Sequence, residues 1–333
     1  MIEQEVDISK ICLFSMENES STDSIIEYFH YLSDCKRVIE RINDTDSFKK
    51  ISIELGRDVQ SINFGNEKND VTISDQLGLY RRGRFIINKF WLKDNHHEKV
   101  IRYINEELVQ INYFIHKYST KIGSYNDELD NNKLVNLSLA RGYGLLIPNS
   151  LVTTCKLDLL KFIKQNKRVI TKPIHHGHIK LYDSNGNLKA VSPGTTIINS
   201  SEAFNLNDYF APSFFQEYIE KELEIRVFYL EGKLYPMAIF SQNDNQTKVD
   251  FRNYNFENPN RNIPFSFPKK MEKNIIDFFK KLNLTTCSAD FILSKSNEFY
   301  FLEINPTGQF GWVSKNCNYY LEKEIASKLA CYE

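Results

Sequence analysis

Two apolar segments near the end of the chain constrain its fold more than any other feature. Residues 287–294 and 299–305 are rich in aliphatic and aromatic side chains, and the polar stretch Ser-Lys-Ser-Asn-Glu separates them. Both segments have the length of a β-strand, so the sequence predicts a hairpin with a turn centred on Ser296-Asn297. Side chains alternate between the two faces of a strand, so Glu303 and Asn305 are expected on one face.

This hairpin predicts a cation site. With the turn centred as above, Asp290 lies directly opposite Glu303, and two facing carboxylates repel each other across a strand pair. A Mg²⁺ ion held by Asp290, Glu303 and Asn305 would remove the repulsion, because Mg²⁺ prefers oxygen ligands together with substrate phosphates. The alternative is a solvated sheet edge, where the charges diverge into water.

The composition narrows the class of protein. The chain has 333 residues, with Lys+Arg 42 against Asp+Glu 43 and a formal charge of -1, so we expect binding to neither nucleic acid nor membrane. The N-terminus lacks the apolar core of a signal peptide, and no apolar run reaches the roughly 20 residues of a membrane span. Six cysteines without zinc-type spacing favour reduced thiols in a cytoplasmic protein.

The N-terminal part of the sequence predicts a small α/β lobe. A strand, a polar loop, a helix and a second strand follow one another, as is typical of a βαβ unit. Apolar residues at helical spacing predict a long helix over residues 99–117. Three arginines, Arg81, Arg82 and Arg84, either bind an acidic peptide or pair with acidic helices.

The polar segment 123–133 is the best candidate for a domain boundary, because it opens on a glycine and separates two helical patterns. Beyond it, the patterns predict further strands and helices, including four features used below. These are a helix over 133–141, a strand pair within 167–183, a hairpin around residues 231–233 and a helix over 269–282.

Charged residues beside apolar strands are candidates for binding a phosphorylated ligand. Lys172 ends a β-branched strand, where its ammonium can meet phosphate oxygens, although an exposed strand-end lysine would give the same pattern. Residues 216–219 look like a segment between lobes, whose backbone can pair with an adenine edge. Glu222, Glu224 and Arg226 share a strand face. These side chains either form a plain ion pair or have separate roles. In the second case a carboxylate binds ribose hydroxyls and the arginine binds phosphate.

Two further clusters have two interpretations each. Asp250 and Arg252 share one face of a short extended piece. In isolation they form a surface salt bridge, but beside an anionic intermediate Arg252 would stabilise developing charge. The histidines His175, His176 and His178 suggest zinc, but adjacent side chains diverge and no fourth ligand is nearby, so a loop over a phosphate is preferred.

The ordered set of short motifs resembles the ATP-grasp ligases. Lys-Pro, Gln-Glu-Tyr-Ile, Glu-x-Arg-Val, Asp-Phe-Arg, Ser-Ala-Asp and Leu-Glu-Ile-Asn-Pro follow one another along the chain. More narrowly, RIND, LYRRG, VDFR and EINPTGQFGW look like the maturases of ribosomally made peptides called graspetide (microviridin-type) synthetases, nearest to their grasp-with-spasm branch. The similarity runs from about Ile11 to Trp312.

The resemblance implies an ATP-grasp fold of mixed α/β and α+β class. An N-terminal α/β lobe (1–125) would precede two α+β lobes (126–215 and 216–333) that enclose ATP. It also implies a ligase that phosphorylates a peptide carboxylate and lets a Thr or Ser hydroxyl or a Lys amine displace the phosphate, closing an ω-ester or ω-amide macrocycle. The implied partner is a precursor peptide with leader and core, and a homodimer is one open alternative for the assembly.

The resemblance also implies roles for residues of this sequence, with ATP and Mg²⁺ as ligands. The catalytic residues would be Arg226, Arg252 and Asp250. The Mg²⁺ ligands would be Asp290, Glu303 and Asn305. The nucleotide would be bound by Lys133, Lys172, Gln216, Glu217, Tyr218, Ile219 and Glu224. The histidine-rich loop departs from the small, glycine-rich phosphate loop usual in these enzymes.

Two alternatives to peptide cyclisation stay open. One is a ligase for a small molecule or amino acid, of the glutathione synthetase type, which would use the same nucleotide residues. The other is a non-catalytic peptide-binding protein on an ATP-grasp scaffold. The joint presence of Lys172, Asp290, Glu303 and Asn305 speaks against loss of catalysis.

Overall fold

The computed structural model divides the chain into two compact units. Unit 1 comprises Met1–Asp130, Leu284–Cys287 and Asn305–Glu333, and unit 2 comprises Asn131–Asn283 and Ser288–Ile304. The structure describes residues 10–33, 38–44, 46–57, 60–65, 70–73, 78–83, 86–87, 98–175, 179–182, 188–191 and 194–331. The division into three lobes stays a prediction.

The described residues form strands and helices as follows. The strands are β1 (Lys10–Ser15), β2 (Val38–Asn43), β3 (Ser47–Phe48), β4 (Lys50–Leu55), β5 (Gln60–Gly65), β6 (Asp70–Ile73), β7 (Gly78–Tyr80), β8 (Ile86–Ile87), β9 (Thr120–Ile122), β10 (Ser150–Cys155), β11 (Val169–Thr171), β12 (Ile179–Tyr182), β13 (Leu188–Val191), β14 (Thr196–Ile198), β15 (Tyr209–Glu217), β16 (Lys221–Leu230), β17 (Lys233–Phe240), β18 (Arg261–Pro264), β19 (Thr286–Ser294) and β20 (Phe299–Asn305). The helices are α1 (Ser20–Leu32), α2 (Glu98–Ser119), α3 (Tyr125–Leu129), α4 (Lys133–Gly142), α5 (Lys156–Asn166), α6 (Ser200–Phe204), α7 (Lys269–Lys281), α8 (Gly311–Cys317) and α9 (Leu321–Cys331). None of the helices in this part of the chain has the length and apolarity needed to cross a membrane.

Unit 1 contains a four-stranded sheet in the order β2-β1-β7-β9, with all neighbouring strands parallel. Helix α1 connects β1 to β2, so the predicted βαβ opening is confirmed, and α1 packs against α9. A second, antiparallel sheet has the order β4-β5-β6. The core joins Phe14, Phe64, Tyr80 and Ile115, the last from α2, which confirms the helix predicted over 99–117.

Unit 2 contains two larger sheets. The order β10-β15-β11-β14 has antiparallel neighbours throughout, and Phe162 of α5 packs with Val169 and Phe215 of this sheet. The other sheet has the order β18-β17-β16-β19-β20. Helix α7 covers it through Phe278 and Phe279, because its apolar side chains recur at helical spacing.

Turn chemistry fixes the hairpin of β16 and β17. Glu231 and Gly232 have φ of 42° and 91°, which is the pattern of a two-residue type I′ turn, and Leu230 pairs with Lys233. The hairpin predicted around residues 231–233 is therefore confirmed. Helices α4 and α7 confirm the predictions for 133–141 and 269–282.

Two sequence-based expectations are wrong. Strands β11 and β12 do not pair: β11 lies between β14 and β15, and β12 pairs with β13. The final hairpin has the expected strands, but Asn297 N donates to Ser294 O at 2.9 Å, so the turn centres on Lys295-Ser296, one residue earlier than predicted. Asp290 was predicted to lie directly opposite Glu303 from a turn centred on Ser296-Asn297. The observed turn therefore does not support that placement.

Candidate active site

A cleft in unit 2 gathers most of the residues that the sequence suggested for nucleotide binding and catalysis. Its walls come from β11, β15, β16, β19 and β20, together with the loop after the Ser241–Asn243 turn. Residues on this wall include Lys172, Gln216, Glu217, Tyr218, Ile219, Glu224, Asp250, Arg252, Asp290 and Glu303. The two sheets of unit 2 thus bring together side chains that are far apart in sequence.

Two lysines lie close to Glu303. Lys133, the first residue of α4, is buried; its Nζ donates to Pro173 O at 2.7 Å and lies 3.0 Å from Glu303 Oε2. Lys172 follows β11 and is 9% exposed, so the alternative of an exposed strand-end lysine is wrong. Burial lowers the pKa of Lys172 to about 8, and the negative charge of Glu303 acts in the opposite direction.

Arg226 and Asp290 form a buried ion pair across neighbouring strands β16 and β19. Arg226 Nη1 lies 2.8 Å from Asp290 Oδ1 and 2.9 Å from Oδ2. The Nε of Arg226 is buried and has no hydrogen-bond partner among the described residues. A buried donor without a partner is costly unless a ligand or water satisfies it.

Asp250 and Arg252 form a compact turn and not the extended piece that the sequence suggested. Arg252 N donates to Asp250 Oδ1 at 3.0 Å, and Nε and Nη2 donate to the same carboxylate at 2.8 and 2.7 Å. Burial raises the pKa of Asp250, but these bonds and the charge of Arg252 outweigh it, leaving the pKa below its usual range. Arg252 Nη1 also donates to Glu303 Oε1 at 3.3 Å.

Glu224 has two partners that sequence patterns did not single out. Lys221 Nζ lies 2.6 Å from Glu224 Oε1, and Ser241 Oγ donates to Oε2 at 2.5 Å. Burial raises the pKa of Glu224, and the charge of Lys221 opposes this. Lys221 and Glu224 are three residues apart in one strand, so alternation would place them on opposite faces, and the sequence offered no signal for this contact. Glu222, predicted on the same face, is exposed.

The segment 216–219 differs in part from the adenine-binding backbone expected from the sequence. Gln216 and Glu217 end β15, and Glu217 N and Tyr218 N already donate to Asn149 O (2.8 Å) and Arg168 O (3.0 Å). Gln216 Nε2 donates to Ser150 Oγ at 2.9 Å, whereas its buried Oε1 has no partner among the described residues. The side chain of Gln216 is therefore the better candidate for ligand recognition.

The remaining predicted residues lie outside this cleft or outside the described residues. Asn305 ends β20, two residues after Glu303, and its Oδ1 accepts from Thr307 N at 3.1 Å. Arg81 and Arg82 lie in unit 1, where both donate to Thr307 O. Arg84, His176 and His178 lie outside the described residues, and His175 is exposed. Within the described ranges, no group of three or more His, Cys, Asp or Glu side chains is arranged to hold a metal.

Solved structures with the same fold cover nearly the whole chain. A RiPP-associated ATP-grasp ligase from Chryseobacterium gregarium, in complex with ADP and a leader and core peptide, has a TM-score of 0.79 and 22% identity, covering 97% of this chain and 95% of that chain. The macrocyclase MdnC from Microcystis aeruginosa MRC, bound with precursor peptide MdnA, has a TM-score of 0.76 and 21% identity, covering 97% and 100%. The ATP-grasp ligase PsnB, complexed with a phosphomimetic variant of minimal precursor, Mg and ADP, has a TM-score of 0.68 and 14% identity, covering 96% and 97%.

The chain therefore has the ATP-grasp fold, as its motifs predicted. The mixed α/β and α+β class is confirmed by the parallel sheet of unit 1 and the antiparallel sheet pairs of unit 2. Neither the protein-family models nor the curated protein sequences give a match to this chain.

Proposed function

We propose that this protein is an ATP-dependent carboxylate ligase that closes side-chain macrocycles in a ribosomally made precursor peptide. The observation that carries the proposal is the set of cations and carboxylates in and beside the unit 2 cleft, most of them buried, on a fold shared with peptide-bound ATP-grasp ligases. Transfer of a phosphoryl group requires such charges, because catalysis consists largely of positioning and charge neutralisation.

The residues of the cleft, together with Asn305 at the end of β20, fit a magnesium nucleotide. Asp290 and Glu303 supply carboxylate oxygens, and Asn305 supplies an amide oxygen at the end of the same strand as Glu303. The orphaned Gln216 Oε1 is an acceptor that an amino group of the base would satisfy. We therefore assign Mg²⁺ to these three oxygen donors and the base to residues 216–219, with Glu224 holding ribose hydroxyls.

The proposed reaction activates a peptide Asp or Glu carboxylate. ATP supplies the γ-phosphoryl group, giving an acyl-phosphate and ADP. A Thr or Ser hydroxyl or a Lys amine then attacks the acyl carbon, so that the ester or amide bond forms while the bond to phosphate breaks and the proton leaves. Lys133, Lys172, Arg226 and Arg252 neutralise charge on the phosphoryl group, and Asp250 orients Arg252 through three hydrogen bonds.

We propose a cytoplasmic protein whose partner is a precursor peptide with leader and core segments. The described cysteines are free thiols, which supports a reducing compartment. Contacts of the peptide with Arg81, Arg82 and Arg84 stay a prediction, as does a homodimer.

Mass spectrometry with a candidate peptide tests the activity. The purified protein, ATP and Mg²⁺ should release ADP in the presence of a peptide containing Asp or Glu and Thr, Ser or Lys, and the peptide should lose one water for each ring. Hydroxylamine treatment distinguishes an ester ring, which it opens, from an amide ring. ADP release with free amino acids but not with peptides would favour a small-molecule ligase.

The exchange Glu303→Gln tests the metal assignment. We expect ADP release to fall to background while peptide binding, measured by fluorescence anisotropy, stays unchanged, because the exchange keeps the shape of the side chain but removes the negative charge that would hold Mg²⁺ and that pairs with Lys133 and Arg252. Glu298→Gln is the matched control, since Glu298 lies in the exposed turn just before the same strand and its carboxylate accepts hydrogen bonds from Ser296 and Tyr300. Undiminished turnover in Glu303→Gln would rule out the metal role.

A further inference from the structure

The turn after β20 fixes the orientation of the Asn305 side chain. Gly308 N donates to Asn305 O at 3.1 Å, closing a four-residue turn with proline at its second position. Within it, Asn305 Oδ1 accepts from Thr307 N at 3.1 Å and from Thr307 Oγ1 at 3.3 Å. A backbone N–H can only donate, so the side-chain atom that faces it must be the amide oxygen and not the amide nitrogen.

Two arginines of unit 1 hold this turn through a single carbonyl oxygen. Thr307 O accepts from Arg81 Nη1 at 3.2 Å, from Arg82 Nε at 3.2 Å and from Arg82 Nη2 at 3.1 Å. Hydrogen bonds from ionised donors are about twice as strong as neutral ones. The two guanidinium groups therefore restrain the residue whose N–H orients Asn305.

The arginines are themselves fixed in place. Arg81 is 5% exposed, pairs with Glu19 at 3.4 Å and lies over the ring of Phe310, 4.7 Å from its centroid. The backbone N–H groups of Arg81 and Arg82 both donate to Phe14 O at the end of β1, at 2.9 and 3.3 Å. The segment is thus anchored on the parallel sheet, and neither guanidinium has to be ordered by a ligand.

We infer that Arg81 and Arg82 are positioning residues for Asn305, which keep its amide oxygen oriented for the metal of the magnesium nucleotide. The inference rests on the proposed function, because Asn305 is a metal ligand only there. Groups that hold a metal ligand in place typically change metal affinity by about 10–100-fold when they are removed. This role differs from direct contact with the peptide substrate.

Metal-dependent nucleotide binding tests the inference without measuring catalysis. A fluorescent ADP analogue at fixed concentration is titrated with MgCl₂ in the wild type, Arg82→Gln and Arg82→Lys. We expect Arg82→Gln to raise the half-saturating Mg²⁺ concentration about tenfold, with Arg82→Lys recovering part of the loss. Arg41→Gln is the matched control, because Arg41 is an arginine of unit 1 that bonds to Asn43, Asp23 and Met16 O instead of to the turn.

Hydrogen exchange of residues 299–310 in the ligand-free protein is the second measurement. Faster exchange at Thr307 and Gly308 in Arg82→Gln, together with the shifted Mg²⁺ midpoint, would support the inference. The inference would be overturned if a folded Arg82→Gln variant kept both the wild-type Mg²⁺ midpoint and the wild-type hydrogen exchange. It would also be overturned if a higher KM for the peptide were the sole change. If the wild type fails to bind the nucleotide with Mg²⁺, the proposed function itself fails, and exchange still reports whether the arginines hold the turn.

Discussion

His116 of α2 provides a sharp test of the packing in unit 1. Its side chain is 0% exposed, and neither ring nitrogen has a hydrogen-bond partner among the described residues. The imidazole is surrounded by the rings of Phe14, Tyr80 and Tyr125, with centroids at 4.4, 5.0 and 5.2 Å. An imidazolium ion in this position would have no acceptor among the described residues to compensate its charge, so the folded protein keeps His116 neutral.

The cost of keeping His116 neutral depends on pH in a calculable way. Burial lowers its pKa from 6.5 to about 3. The unfolded chain therefore binds a proton as the pH falls through 6.5, whereas the folded chain does not, so stability is lost in acid. Between about pH 8 and about pH 5 this single group should lower the free energy of unfolding by about 2 kcal/mol.

Urea unfolding at the two pH values, followed by tryptophan fluorescence, measures this effect. The variant His116→Phe should lose about 2 kcal/mol less than the wild type on going from about pH 8 to about pH 5. Any change that the larger ring makes to the free energy of unfolding through packing is present at both pH values. It therefore cancels in the difference between the two pH values. His30→Gln is the control for the loss of a histidine elsewhere in unit 1, since His30 is exposed in α1. An equal loss in His116→Phe and the wild type would refute the argument.

Two further predictions concern the cleft of unit 2. Because the Lys172 ammonium is lost as the pH rises through about 8, the KM for ATP should rise about tenfold by about pH 9, and Lys172→Arg should remove this dependence in initial-rate assays. Arg226→Met leaves Asp290 buried without its ion-pair partner and should lower the free energy of unfolding by about 3–5 kcal/mol, whereas adding Asp290→Leu should restore most of it. Equal stabilities of the single and double variants in urea melts would contradict that reasoning.

Elements that depend on near neighbours were predictable from the sequence. Helix α2 follows from apolar spacing, and the hairpin at Glu231 follows from its turn residues and flanking strands. Both signals lie within the element, because a helix stripe and a two-residue turn use local geometry alone. The same holds for the strands of the final hairpin, although its turn shifted by one residue.

Contacts between distant segments could not be read from such patterns. Strand β11 pairs with β14 and β15 and not with the next strand in sequence, since the choice of partner depends on how separate apolar faces pack. The charges of the cleft were visible individually, but apart from Asp250 with Arg252 their pairing was not. Lys221 illustrates this, because strand alternation places it away from Glu224 whereas the structure brings the two within 2.6 Å.

The pairing of charges also bears on whether the scaffold is catalytic. Each predicted catalytic or metal-binding carboxylate of the cleft has a basic partner: Asp290 with Arg226, Asp250 with Arg252, and Glu303 with Lys133 and Arg252. The pairs of Asp290 with Arg226 and of Glu303 with Lys133 are buried, and buried ion pairs are commonly no more stable than apolar residues of the same volume, so stability alone does not explain them. If the proposed magnesium nucleotide binds here, its phosphates would pair with the cations and Mg²⁺ would be held by the carboxylates. Such an exchange of partners favours a catalytic scaffold over one that binds only a peptide.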